Sequence, residues 1–252
     1  MPNAAEKERY SYSRLKAFEQ CKYQYYLTYY GKARGEEDRG EENAFSQYGT
    51  LVHSLLERYE KKELMSYELL SQYEREYPGA VTYDFPDNNY VDLAESYYND
   101  GAVFFADFDG FGDLEVVGAE DEFEFEIEDF ILCGYIDLIL RDREGKLIVR
   151  DWKSMSALKK KDERQKRRQL YTYCARVKEK FGRFPDKIEF GLFRKQKLSG
   201  FKFDKRDFDE TMDWVKHTVH EIRKCTDWST SYNDFYCSNL CGHRNDCGIN
   251  LF

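Results

Sequence analysis

The apolar positions of this chain keep a helical period up to about residue 110, change to a period of two over 114–152, and return mainly to the helical one after it. In 11–31, Tyr12, Leu15, Phe18, Tyr25 and Leu27 recur at roughly helical intervals, and Ser11 or Ser13 can cap the helix. The stretch 31–43 is polar and glycine-bearing and reads as a loop. Leu51, Leu55 and Tyr59 at four-residue spacing predict a helix over 46–62. Residues 64–109 read as helical in part, broken over 77–89. From 114 the period becomes two, which predicts strands over 114–119, 122–127, 130–140 and 146–152, with a turn at Asp142–Gly145. Helices follow over 161–181 and 205–224, with a strand over 187–194 between them. In the last helix Phe208, Met212, Val215, Val219 and Ile222 form the apolar stripe. The order predicts a mixed α/β fold, a small sheet flanked by helices. We expect one domain over 1–252, with a helical part at 10–110, a strand-rich core at 113–204 and a terminal helix plus cysteine loop at 205–252.

The length, 252 residues, suits one such domain with a sizeable core. No apolar stretch approaches the ~20 residues of a membrane span, and residues 1–13 lack a signal-peptide core. The seven cysteines therefore read as cytoplasmic thiols and metal ligands rather than disulfides, and no membrane partner is expected. A net charge of −9 argues against a uniformly nucleic-acid-binding surface. The charge is uneven, however. Residues 113–129 carry nine carboxylates and no Lys or Arg, whereas 159–168 carry seven Lys or Arg against two acids. A local basic face can meet DNA on an acidic chain.

The candidate chemistry lies at a strand end. Asp151 and Lys153 are two apart and share a strand face, at the end of an apolar run. Asp137 lies in the preceding strand, after Gly134, where a hairpin can bring it beside Asp151. Carboxylates there suit a divalent cation, and an adjacent ammonium can orient a water or offset developing charge, which together suits phosphodiester hydrolysis. A surface Asp–Lys pair is the plainer alternative, since acid-x-Lys also occurs at Glu60–Lys62 and Glu144–Lys146. His53, in Gly-Thr-Leu-Val-His and expected in the opening turns of its helix, offers an imidazole ligand or an ordinary packed residue. Gln169 and Tyr173, on the basic helix, can bond a phosphate or simply pack.

Cys237, Cys241 and Cys247 crowd one loop and leave a fourth position for a distant ligand, Cys21. Four thiolates favour zinc or an iron–sulfur cluster, and His243 between two of them can substitute for one. Cys133, Cys174 and Cys225 read as ordinary buried thiols.

Six stretches occur in one order: 11–27, 49–53, 133–140, 148–154, 169–173 and the terminal cysteine loop. In that order the chain resembles the RecB-like branch of the PD-(D/E)XK nuclease superfamily, which includes the RecB and AddB nuclease domains and CRISPR-associated adaptation nucleases with an iron–sulfur cluster. The resemblance implies a restriction-endonuclease-like core. It implies that His53, Asp137, Asp151 and the Trp152 carbonyl hold Mg²⁺ or Mn²⁺, with Glu120 a second-shell or outer candidate. Lys153 would be the catalytic lysine, and Gln169 and Tyr173 would help seat DNA. Cys21, Cys237, Cys241 and Cys247 would bind a structural 4Fe–4S cluster. The spacing Cys237-x-x-x-Cys241 is one residue longer than the usual pattern, which leaves zinc open. The implied activity is a metal-dependent DNA exonuclease acting on ends or single strands, in recombination, repair, CRISPR adaptation or phage DNA metabolism. The basic helix 159–168 would line the DNA path, and a helicase or recombination protein is an expected partner. The other classes are a non-catalytic DNA-binding module and a zinc-stapled scaffold.

Overall fold

The computed structural model of the chain describes residues 7–31 and 40–248; part of the polar loop expected over 31–43 and the last four residues of the cysteine loop lie outside them. The core is a mixed six-stranded sheet with helices on both faces, consistent with a restriction-endonuclease-like fold. Strands β2 (Glu115–Ile127), β3 (Phe130–Arg141) and β4 (Leu147–Lys153) form an antiparallel meander. Helix α6 (Lys160–Phe181) then crosses to β5 (Lys187–Leu192), parallel to β4, and β6 (Lys197–Lys202) closes that edge. A short β1 (Arg9–Ser11), absent from the sequence reading, pairs parallel with Ile131–Cys133.

Strand β3 positions the site. Along one edge β2 pairs with it from Phe130 to Arg141. The other edge is forked: β1 takes Ile131–Cys133 and β4 takes Leu138–Arg141. Among the described residues, Gly134–Asp137 has no strand partner on that edge, so Asp137 stands in the crotch of the fork. Side-chain alternation also breaks there. Phe130, Leu132 and Ile136 join one core layer, but Leu138 and Leu140, of the same parity, join the other. A regular strand keeps one parity on one face. Opposite the break Glu120 has a left-handed backbone (φ 44°), between the pairs Ala119↔Leu138 and Asp121↔Ile136.

One core layer packs β4 residues Leu147 and Val149 against α6, α7 (Lys205–Lys224) and α1 (Tyr12–Gln20). The other packs Ile148 and Trp152 against α3 (Ala44–Glu60), α4 (Ser66–Ala80) and α5 (Leu93–Asp107). The expected single helix over 11–31 is two, α1 and α2 (Lys22–Tyr29), broken at Cys21 in extended backbone (φ −160°). The two strands expected over 114–127 are one, because Glu120 bends the strand without ending it. The Asp142–Gly145 turn is as expected: Asp142 Oδ1 accepts from the Glu144 and Lys146 amides at 2.9 and 2.8 Å, and Gly145 supplies φ 80°. Helix α4 runs through Pro78 into the segment expected to break it.

Candidate active site and cysteine cluster

His53 enters from α3. The helix begins at Asn43, whose side chain accepts from the Ser46 amide at 3.0 Å. His53 therefore lies in mid-helix rather than in the opening turns. Its Nε2 donates to the Trp152 carbonyl at 3.1 Å, since a carbonyl can only accept. In the neutral ring Nδ1 then presents a lone pair, and it lies 3.5 Å from Asp137 Oδ2. Asp137 Oδ2 also accepts from the Trp152 amide at 2.7 Å, which fixes the carboxylate across the β3–β4 ladder. His53, Glu120 and Asp137 place one ligand atom each within 4.8 Å of one another. Carboxylates gathered this closely disfavour each other's charge, and a proton or cation among them relieves it. This donor set of nitrogen and carboxylate oxygens fits a divalent ion.

The acid values carry the same mark. Asp137 is pushed up to about 6, by burial first and by the Asp151 charge second, against the opposing effect of His53 and Lys153. Glu120 is pushed up to about 7 by burial and then by Asp137 and Glu57. Glu60 rises to about 9, from burial and then Glu120 and Asp137. The sequence reading missed Glu57 and Glu60. Their signal was the helical period: positions 53, 57 and 60 lie on one face of α3.

Asp151 is 1% exposed and lies on the α6 side of the sheet with Leu147 and Val149. Its Oδ1 accepts from the Tyr173 hydroxyl at 3.3 Å, and Gln169 Nε2 donates to that hydroxyl at 2.7 Å. Burial first, then the Asp151 charge, raises the Tyr173 phenol well above its ordinary range, so it stays a donor. Lys153 Nζ lies 2.6 Å from Asp151 Oδ2. The structure thus brings His53, Glu120, Asp137, Asp151, Trp152, Lys153, Gln169 and Tyr173 into one neighbourhood. Trp152 O is engaged by His53, with a second lone pair left to it.

The cysteine loop folds back on α2. Cys21, Cys237, Cys241 and Cys247 line one small cavity with Tyr236 and His243. Burial raises the Cys241 thiol, and Cys237, Cys21 and Cys247 each raise it further, as expected for sulfurs gathered at one point. The Ser231 amide donates to Cys21 Sγ at 3.5 Å and the Asn233 amide to Cys237 Sγ at 3.4 Å. Amides aimed at sulfur suit metal-bound thiolates. His243 lines the same cavity, with Nε2 3.1 Å from Thr28 Oγ1 and Nδ1 3.4 Å from Asp246 Oδ2. Of the remaining thiols, Cys174 is buried, while Cys133 and Cys225 are only partly so.

Residues 9–248 match the PD-(D/E)XK nuclease superfamily, and the chain belongs to it. Members are metal-dependent nucleases that use divalent ions such as Mg²⁺ or Mn²⁺. No curated protein matches the chain in sequence. Among solved structures, it is similar to the one described as "Crystal structure of SSO0001", at 17% identity over 95% of this chain and 96% of that one, with a TM-score of 0.35. That likeness carries no argument. No helix of the described residues is long and apolar enough to cross a membrane.

Proposed function

We propose that this is a RecB-like, iron–sulfur-containing DNA exonuclease, a single nuclease domain that acts on ends or single strands. The observation that carries the nuclease reading is the convergence of His53 Nδ1, Asp137 and Glu120 beside the Asp151–Lys153 pair. His53, Glu120, Asp137 and Asp151 would hold Mg²⁺ or Mn²⁺, and the Trp152 carbonyl would join them in place of its bond to His53 Nε2. When bound, such an ion polarises a phosphate and acidifies a water. The chain's own groups do the rest. Lys153 offsets charge that develops on the phosphate and orients the attacking water, released from Asp151 when that carboxylate is otherwise neutralised. Tyr173, held by Gln169, fixes the Asp151 carboxylate and leaves the Gln169 amide to face the substrate. Cys21 and the terminal trio would hold a 4Fe–4S cluster that ties α2 to the C-terminal loop, a link that closes nearly the whole chain. Four of the seven cysteines gathered round one small cavity support a cytoplasmic, reducing setting. Recombination, repair, CRISPR adaptation and phage DNA metabolism all use such an activity, together with a helicase or recombination partner.

The test is incubation of anaerobically purified protein with end-labelled linear DNA, single- and double-stranded, and with closed circles, in Mg²⁺, Mn²⁺ or EDTA. The reading requires metal-dependent release of short products from linear strands and intact circles. Cleaved circles would replace exonuclease by endonuclease, and no cleavage of any substrate would leave a DNA-binding module.

A further inference from the structure

On an acidic chain a cation left without a carboxylate stands out. Lys159, Lys160 and Lys161 of the basic run are exposed and outside any ion pair among the described residues, whereas its arginines are paired. Arg164 pairs with Glu210, Arg167 with Asp207 at 3.6 Å and Arg168 with Glu19 at 3.3 Å, all toward α1 and α7. Lys166 differs. It is half-buried, has no carboxylate within ion-pair distance among the described residues, and donates to Met155 Sδ at 3.4 Å. It lies three residues before Gln169 and seven before Tyr173, on the helix face that meets Asp151. Burial opposes its charge first, Asp162 one turn back favours it, and Lys159, Lys153 and Lys16 oppose it.

A second such cation lies on the other side of Tyr173. Arg14 on α1 is half-buried and likewise has no carboxylate partner among the described residues. Its Nε donates to the Tyr25 hydroxyl at 3.0 Å and its Nη1 to the Arg9 carbonyl at 2.8 Å. The guanidinium lies 4.5 Å from the ring centres of both Tyr10 and Tyr29. It is thus fixed in place without being neutralised. Its neighbours Lys7 and Arg9 are paired with Glu126 and Glu124. Arg14 lines a cleft of about 920 Å³ that opens between β1 and the bare edge of β3 and ends at Gln169 and Tyr173. Tyr12 and the exposed Tyr135 also line it.

We infer that a single nucleic-acid strand crosses the site with one phosphate at Lys166 and another at Arg14, and lies in the cleft of the β3 fork rather than along the outer face of 159–168. The inference rests on the nuclease reading above. Fixed, unneutralised cations release counterions when they meet phosphates. The exposed Tyr135 ring offers a stacking face to an unpaired base, which a duplex keeps inside.

The experiment measures binding of the full chain to a labelled single-stranded oligonucleotide and to a blunt hairpin, in the Lys153→Ala background so that DNA survives. Arg14→Ala and Lys166→Ala should each weaken single-strand binding and reduce the log–log salt slope by about 0.7, the increment for one single-strand phosphate. Arg164→Ala, which removes a paired cation, should leave the slope unchanged, and Arg14→Lys should restore it. A neutral methylphosphonate walked along the strand should weaken the protein bearing Arg14 at one position and add nothing to Arg14→Ala there. That readout survives a modest loss of folding stability. Unchanged slopes for both variants, or equal losses on hairpin and single strand, overturn the inference while leaving the nuclease reading intact. Wild-type protein that neither binds nor cuts DNA overturns both.

Discussion

Metal binding at this site should depend steeply on pH, and the raised acids set the direction. Asp137, near 6, and Glu120, near 7, both lie above their unfolded values of about 4. The metal-free folded state therefore holds extra protons between about pH 4 and 7. Its stability is greatest at the acid end of that window and falls as pH rises through the folded values. A divalent ion needs the deprotonated carboxylates, so it competes with those protons and its apparent affinity rises over the same window. At pH 5 the competition weakens binding about tenfold through Asp137 alone. Glu120 adds a further factor of up to about a hundredfold, which solvent screening reduces because this group is only half-buried. Between pH 5 and 8 the apparent affinity should thus rise by about 10- to 10³-fold. The assay is the shift in melting temperature on adding Mn²⁺ at pH 5, 6, 7 and 8, with titration calorimetry in two buffers to count released protons. The shift should be small at pH 5 and grow toward pH 8, and Glu120→Gln should flatten the rise. A shift that is constant with pH, or largest at pH 5, would refute the assignment of these carboxylates to the ion.

Lys153→Ala should lose about 10²–10⁴-fold in turnover yet keep the Mn²⁺-induced rise in melting temperature; loss of both would make Lys153 a structural partner of Asp151 only. Arg150→Ala should destabilise the fold by about 1–3 kcal/mol, because it removes the hydrogen-bonded partner of a buried carboxylate and leaves it Lys187 alone: Glu189 is 0% exposed, its Oε1 lies 2.7 Å from the guanidinium and its Oε2 2.5 Å from Lys187 Nζ. Denaturant unfolding checks it, and a change under ~1 kcal/mol, the surface-pair range, contradicts the burial argument. Cys21→Ser should lower iron content and melting temperature together, with nuclease loss only following; about one zinc and no iron in the wild type would replace the cluster by a tetrahedral site.

What the sequence disclosed follows from which interactions are local. The alternation in Phe130–Leu140 and the apolar run before Asp151 reflect burial of strand faces, so the meander and the Asp137–Asp151 approach were legible. The three residues of β1 carry no periodicity of their own; their strand state comes from pairing with Ile131–Cys133, 122 residues away in register. The fork they create, and the cleft within it, were therefore invisible. Glu120 stood out as an acid before the strand pair, but its left-handed backbone, which moves the parity of two strands, has no composition signal in a non-glycine residue. The basic run at 159–168 was legible as charge only. Its division into paired arginines, exposed lysines at 159–161 and one half-buried lysine outside any ion pair depends on Glu19, Asp207 and Glu210, which tertiary packing supplies.

The central claim is that the His53–Glu120–Asp137–Asp151 cluster cuts DNA with a divalent ion. The most direct measurement is release of label from 5′-labelled single-stranded DNA by wild type and by Asp151→Asn, in Mn²⁺ and in EDTA, with circular dichroism to show that both are folded. We expect release by the wild type in Mn²⁺ alone and none by the folded Asp151→Asn variant. Wild-type cleavage by Asp151→Asn, or cleavage that persists in EDTA, would contradict the account.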